Sequence, residues 1–132
     1  MVDKLINMIN TAQRRIIICC PWLNMEALQE PLVDLVSRKK ELIIYYRSSS
    51  ANTQKFIDSL RDRIVEINKD LYGFYKTRSI GTVHSKLFIK DDKEIIISSK
   101  NLTTGKDRDA GVWSNDEEVI RHALRFVESL EG

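Results

Sequence analysis

Two apolar runs decide the fold of this chain, RIIICC at residues 15–20 and ELIIYY at residues 41–46. Both are apolar almost throughout, which is typical of strands whose two faces are both covered. Between them, residues 26–38 repeat leucine and valine at helical spacing. This order predicts an α/β fold: a mixed β-sheet flanked by helices on both faces, an α/β/α sandwich whose early part is parallel.

Further elements are predicted on either side of this unit. Apolar residues at helical spacing indicate helices over residues 3–13, 53–69 and 116–130. From Leu71 the apolar period changes to two, which predicts short, tightly antiparallel strands over residues 72–76, 82–90, 94–99 and 110–114. Asp91-Asp92 is the predicted two-residue turn between the two central ones.

The composition limits the classes of partner. With 21 Lys and Arg against 19 Asp and Glu, the net charge of +2 gives no strong field for steering nucleic acid or a membrane, so a basic patch must be local. No apolar run approaches the roughly 20 residues of a membrane span, and the polar start lacks a secretory h-region. We therefore expect a cytoplasmic protein without a membrane partner, and a single domain over residues 1–132.

The two cysteines, Cys19 and Cys20, are adjacent at the end of an apolar run. A structural disulfide framework is excluded by this spacing, and a vicinal bond would be strained. We expect buried free thiols. With 2 histidines and no paired Cys or His spacing, no metal site is expected either.

Two residues that can carry chemistry lie two apart in the predicted strand over residues 82–90. His84 and Lys86 then project from the same face. If Lys90 pairs with Lys93 across the turn, Ser99 lies opposite His84, and Asn101 joins the same face. Such a group suits a phosphodiester, because the ammonium neutralises its oxygens, the hydroxyl and amide donate hydrogen bonds, and the imidazole supplies a nucleophile or proton carrier.

The spacing of these residues is also that of a known family. HSKLFIKD at residues 84–91 matches the signature HxKxxxxD, and SSKN at residues 98–101 follows it like the companion GSxN. IIICCPWLN at residues 16–24 is similar to the family's first strand and its proline-containing exit. The sequence resembles the phospholipase D superfamily over nearly its whole length, and the phospholipase D-like sandwich is the fold that the resemblance implies.

The resemblance implies roles for the site residues. His84 would be the nucleophile that forms a phosphohistidine, Lys86 would bind the phosphate, and Ser99 and Asn101 would complete the pocket. Asp91 would be the structural acid of the motif, bonded to the turn or backbone and not to substrate.

The chain departs from the family pattern at two positions. Asp109 stands about where a glutamate usually orients the histidine, and is assigned that role here. Ser98 stands where the family has glycine. The serine side chain would crowd a phosphate that must approach the backbone closely.

A phosphohistidine mechanism needs an acid for the leaving oxygen, and one signature supplies one histidine. The family meets this need with two copies of the motif, and its short endonucleases pair two chains. The resemblance therefore implies a homodimer with both His84 side chains in one site, and no metal or other cofactor.

Other residues are weaker candidates. Tyr75, Lys76 and Arg78 mix aromatic and basic side chains as a nucleic-acid platform does, although ordinary strand packing explains them equally well. Arg47 is a candidate phosphate contact, against the simpler interpretation of a solvated loop arginine. His122, away from the apolar stripe of the last helix, is interpreted as a surface residue.

The function expected from these observations is metal-independent cleavage of DNA or RNA. Two alternatives stay open: a phospholipid hydrolase or transferase, and a module of a larger protein that binds phosphate or nucleic acid without turnover. A helicase or specificity domain is a candidate companion.

Overall fold

The structure, a computed structural model, describes residues 2–98 and 111–131. Its elements in chain order are α1 (Val2–Thr11), β1 (Arg15–Cys19), α2 (Gln29–Ser37), β2 (Glu41–Tyr46), α3 (Ala51–Ile67), β3 (Tyr75–Ser79), β4 (Leu87–Lys90), β5 (Glu94–Ser98), β6 (Gly111–Ser114) and α4 (Glu117–Glu131). Short 3-10 helices at Glu26–Leu28 and Lys69–Phe74 precede α2 and β3.

The strands form one sheet in the order β3-β2-β1-β4-β5-β6. β1 pairs in parallel with β2, and β2 with β3, whereas β4, β5 and β6 continue the sheet in antiparallel pairs. The predicted mixed sheet of an α/β fold is confirmed.

The helices cover both faces of the sheet, which explains why the central strands are apolar throughout. Successive side chains of a strand point to opposite faces. Ile16 and Ile18 of β1 therefore join the core under α1, α2 and α3, whereas Ile17 and Cys19 join the core under α4. Of these four, Ile17 is the most accessible, with 2% of its surface exposed.

β3 and the segments before and after it differ from the sequence prediction. Residues 69–74 form a 3-10 helix, and β3 runs parallel to β2, not antiparallel to the next strand. The strand predicted over residues 82–90 is confined to Leu87–Lys90. The reason is topological: β3 lies at one side of the sheet and β4 lies beyond β1, so residues 80–86 must cross the ends of β2 and β1 and cannot run alongside a strand.

The predicted register across the β4–β5 turn is wrong by one residue. Asp91 and Asp92 form the turn, both with positive φ (52° and 57°), and the Lys93 amide donates to the Lys90 carbonyl at 2.9 Å. The ladder resumes one residue later, with Lys90 opposite Glu94. The expected juxtaposition of His84 and Ser99 rested on the other register.

α3 begins two residues before the predicted start. The Ser50 side chain accepts a hydrogen bond from the Thr53 amide at 3.3 Å, which caps the helix N-terminus. Within the described part of the chain, no helix combines the length and the apolar character that crossing a bilayer requires.

Candidate active site

One edge of the sheet gathers the residues that the sequence singled out. β1, β2, β3 and β5 end there and β4 and β6 begin there, since Cys19 pairs with Tyr45 and with Leu87, and Ser98 pairs with Gly111. We call it the site edge. Ligands of open α/β sheets bind outside the carboxyl ends of the parallel strands.

His84 reaches the site edge on the crossing segment, residues 80–86. The turn before it is closed by a hydrogen bond from the Val83 amide to the Ile80 carbonyl at 3.2 Å. Val83 is 1% exposed and is buried in the core under α4, which anchors the segment, whereas His84 is exposed. The imidazole is therefore held at the surface by a buried neighbour.

Arg47 meets His84 at this edge. Its amide donates to the Pro21 carbonyl at 2.9 Å, which fixes the backbone directly after β2. Nη2 of Arg47 lies 3.1 Å from Nδ1 and 2.9 Å from Nε2 of His84. The interpretation of Arg47 as a solvated loop residue is therefore wrong, and the cue in the sequence was a cation placed directly after a buried parallel strand.

Lys86 lies on the same segment as His84. Its Nζ donates to the His84 carbonyl at 3.2 Å, and its own carbonyl accepts from the Ser98 amide at 2.9 Å. The second bond ties the motif segment to the end of β5. Lys86 thus brings a positive charge close to His84, as a phosphate would require.

Three predicted site residues, Ser99, Asn101 and Asp109, lie outside the described residues. The described positions that flank them, Ser98 and Gly111, are paired at the site edge. Ser98 is 7% exposed, and positive φ at non-glycine residues of the described chain is confined to Lys39 and the two turn aspartates. The backbone conformation at Ser98 is therefore one that serine adopts without strain.

Asp91 lies at the opposite edge of the sheet. Its carboxylate accepts hydrogen bonds from the amides of Gln13 (2.9 Å), Arg14 (2.7 Å) and Arg15 (3.0 Å), just before and at the start of β1. Burial by itself raises the pKa of Asp91, but these three bonds outweigh it and hold the pKa below its ordinary value. The carboxylate joins the β4–β5 turn to β1.

Tyr75 cannot contact nucleic acid as the sequence suggested. It is 5% exposed, and its hydroxyl donates to the Ile57 carbonyl at 2.9 Å inside the core. For Tyr75 the alternative of ordinary strand packing is the correct one, because the alternation of β3 points this ring under α3. Lys76 and Arg78 lie on the opposite face, where they pair with Glu41 (2.6 Å) and Glu131 (3.0 Å).

A cleft of about 730 Å³ between the β4–β5 turn and α4 is not the candidate site. It lies at the edge opposite His84, and its lining carries both signs of charge. Asp92 in its wall pairs with Arg15 at 2.8 Å, and Arg121 pairs with Glu118. His122, also on α4, lies 4.0 Å from Glu118 with 70% of its side chain exposed.

The cysteines are free and buried, as expected. Burial, and then the neighbouring Cys20, raises the pKa of the Cys19 thiol to about 12. In residues 2–98 and 111–131, no three His, Cys, Asp or Glu side chains are grouped so as to hold a metal ion.

Comparison with known proteins agrees with this arrangement. Residues 5–130 match the family model described as "Cardiolipin synthase, PLD-like domain". The chain belongs to this family. Membership supports a phosphodiesterase-type activity. The chain is also similar to phospholipase D zeta 2 of Arabidopsis thaliana, at 27% identity over an alignment of 105 residues that covers 66% of this chain and 10% of that protein.

Solved structures share the fold. NucT from Helicobacter pylori superposes with a TM-score of 0.81 at 18% identity, covering 98% of this chain and 86% of that one. TrmBL2, an archaeal chromatin protein with a novel mode of DNA binding, superposes with a TM-score of 0.71 at 19% identity, covering 98% of this chain and 48% of that one. At these identities the likeness establishes the fold alone.

Proposed function

We propose that the chain is a metal-independent phosphodiesterase, a nuclease that cleaves DNA or RNA as a homodimer. The observation that carries the proposal is that one short segment at the site edge holds both the exposed imidazole of His84 and the ammonium of Lys86, which donates to the His84 carbonyl. The family match gives this pair its chemical context.

In the proposed reaction a ring nitrogen of His84 attacks the phosphorus, and the bond to the leaving oxygen breaks. Lys86 neutralises the non-bridging oxygens, with hydrogen bonds from Ser99 and Asn101, while Asp109 orients the imidazole. The leaving oxygen takes a proton from the partner's His84. Water then attacks the phosphohistidine, which releases the phosphomonoester and restores the imidazole.

The dimer is proposed because the chain supplies one signature for a reaction that needs two histidines. Ile97 and Val112, which pair across β5 and β6 close to the site edge, are 42% and 67% exposed. Apolar side chains at such a position favour burial against a second chain. Sedimentation of the active protein should give a dimer, and a fully active monomer would contradict this part of the proposal.

A nucleic acid is the preferred substrate, and TrmBL2 supports it, since that protein carries the same fold and binds DNA. A phospholipid is the second candidate substrate, because the description of the matching family names cardiolipin synthase and the curated relative is a phospholipase D.

A substrate panel separates the two. The wild-type protein in EDTA is expected to cleave labelled single-stranded DNA, duplex DNA or RNA, and to release no headgroup or diacylglycerol phosphate from phosphatidylglycerol vesicles. Bis(p-nitrophenyl) phosphate serves as a small substrate that favours neither class. Turnover of the vesicles alone would select the lipid reaction, and binding of nucleic acid without cleavage would select a binding module.

A further inference from the structure

The way the chain positions Arg47 gives the site a second cationic group besides Lys86. The side chain leaves β2 at the site edge, and the crossing segment carries His84 past the end of the same strand. Both backbones are fixed, Arg47 by its bond to Pro21 and the crossing segment by buried Val83. The contact between the two side chains is therefore set by the topology of the sheet.

The contact competes with the chemistry proposed for His84. A guanidinium can only donate, and an imidazole accepts at its unprotonated nitrogen. Nη2 of Arg47 lies within 3.1 Å of both ring nitrogens, so the guanidinium stands beside the lone pair whichever nitrogen carries it. A nucleophilic attack uses that same lone pair. Arg47 must therefore move off the imidazole before His84 can attack.

Arg47 also has bonding capacity that the described residues leave unused. Its Nε is buried and has no hydrogen-bond partner among them. Neither Arg47 nor Lys86 pairs with a carboxylate of the described chain, whereas six of the nine described arginines do, namely Arg15, Arg38, Arg61, Arg63, Arg78 and Arg121. A buried donor without an acceptor is costly, and a phosphate oxygen would supply one.

We infer that Arg47 binds a non-bridging oxygen of the reacting phosphate, and that it exchanges its contact with His84 for this one. The inference rests on the proposed function for its substrate, a phosphodiester. Nε and Nη2 form the planar fork that matches two phosphate oxygens. Substrate binding then has two effects: the phosphate gains a cation besides Lys86, and the lone pair of His84 becomes free to attack.

The test compares Arg47→Gln and Arg47→Lys with Arg61→Gln, which removes a partly exposed α3 arginine paired with Asp58 and Asp62. For Arg47→Gln, kcat/KM for the cleaved substrate is expected to fall roughly 100-fold, as when one transition-state donor is lost. Arg47→Lys keeps the charge without the fork and should recover part of that loss. Arg61→Gln should cleave like the wild type.

Chemical labelling supplies a readout that a merely structural role would not move. Diethyl pyrocarbonate acylates unprotonated imidazoles, and the chain has 2 histidines, so His122 serves as the internal reference. Relative to His122, labelling of His84 should rise about threefold in Arg47→Gln, because the donor that stands beside its ring nitrogens is lost. Thermal melting checks that each variant is folded, and Arg47→Lys stands in if Arg47→Gln is not.

The outcomes distinguish the inference from the proposed function. Unchanged cleavage in folded Arg47→Gln would overturn the inference and leave a His84-dependent nuclease intact. Reduced cleavage with unchanged labelling of His84 would also overturn it. If the wild type cleaves nothing, calorimetry with inorganic phosphate decides: affinity lost in Arg47→Gln supports an Arg47 phosphate site without turnover, and equal affinity in both proteins rejects it.

Discussion

Replacing His84 with alanine lowers phosphodiester cleavage in EDTA by at least about 1,000-fold, if the imidazole is the nucleophile of this site. The substitution deletes the group that forms the covalent bond, and water would have to attack the phosphate directly. Because His84 is exposed and packs in neither core cluster, the variant should fold normally. Initial rates at equal protein concentration measure the effect.

His122→Ala is the matched control. This histidine is exposed on α4, and its contact is with Glu118 at 4.0 Å. Its cleavage rate should stay within about twofold of the wild type, since substitutions at such surface positions have small effects. Cleavage by His84→Ala at a similar rate would remove His84 from the nucleophile's role.

Asp91→Asn is expected to lower the free energy of unfolding by about 3 kcal/mol. The carboxylate is 8% exposed and accepts from three backbone amides, whereas an asparagine would turn donors toward some of them. Asparagine tolerates the positive φ of 52°, so the loss reports the hydrogen bonds and not the turn. Urea unfolding measures it, with Asp92→Asn as the control.

The control shares the turn and a positive φ of 57°, but Asp92 pairs with Arg15 at a partly exposed position. It should lose about 1 kcal/mol or less. Folded Asp91→Asn should still cleave substrate, because Asp91 lies at the edge opposite His84. Equal stability of the two variants would contradict the role given to the Asp91 contacts.

The same contacts predict a pH dependence. The pKa of Asp91 is lower in the folded chain than its ordinary value of 3.8, so its contribution to stability is present above that value. It is lost as the pH falls below 3.8 toward the folded pKa. The difference in unfolding free energy between wild type and Asp91→Asn should therefore shrink in this acid range, and a difference that grows there would have the wrong sign.

The sequence predicts the core of the sheet well, because a strand that is buried on both faces is a continuous apolar run in the sequence. β2 occupies the predicted residues, Glu41–Tyr46, since both of its faces are covered and the apolar run ends where the strand does. The helices are also found where apolar spacing placed them. Local patterns suffice for elements whose burial is continuous.

The site depends on the order of the strands in the sheet and on their register, which local sequence patterns do not determine. Nothing in residues 80–86 shows that they cross two strands, so His84 was placed in a strand and its contact with Arg47 could not be derived. The register was missed because the turn does not show where pairing resumes. An available cue was the opposite charge of Lys90 and Glu94, which form an ion pair of 2.9 Å.

Detection of the covalent intermediate tests the central claim most directly. The wild-type protein is mixed with excess cleavable substrate in EDTA, quenched under alkaline conditions within one turnover, digested and analysed by mass spectrometry. The account predicts a phosphoryl adduct on His84 and none on His122. Two results together would contradict it: His84 stays unmodified throughout the first turnover while substrate is cleaved, and His84→Ala cleaves the substrate at the same rate.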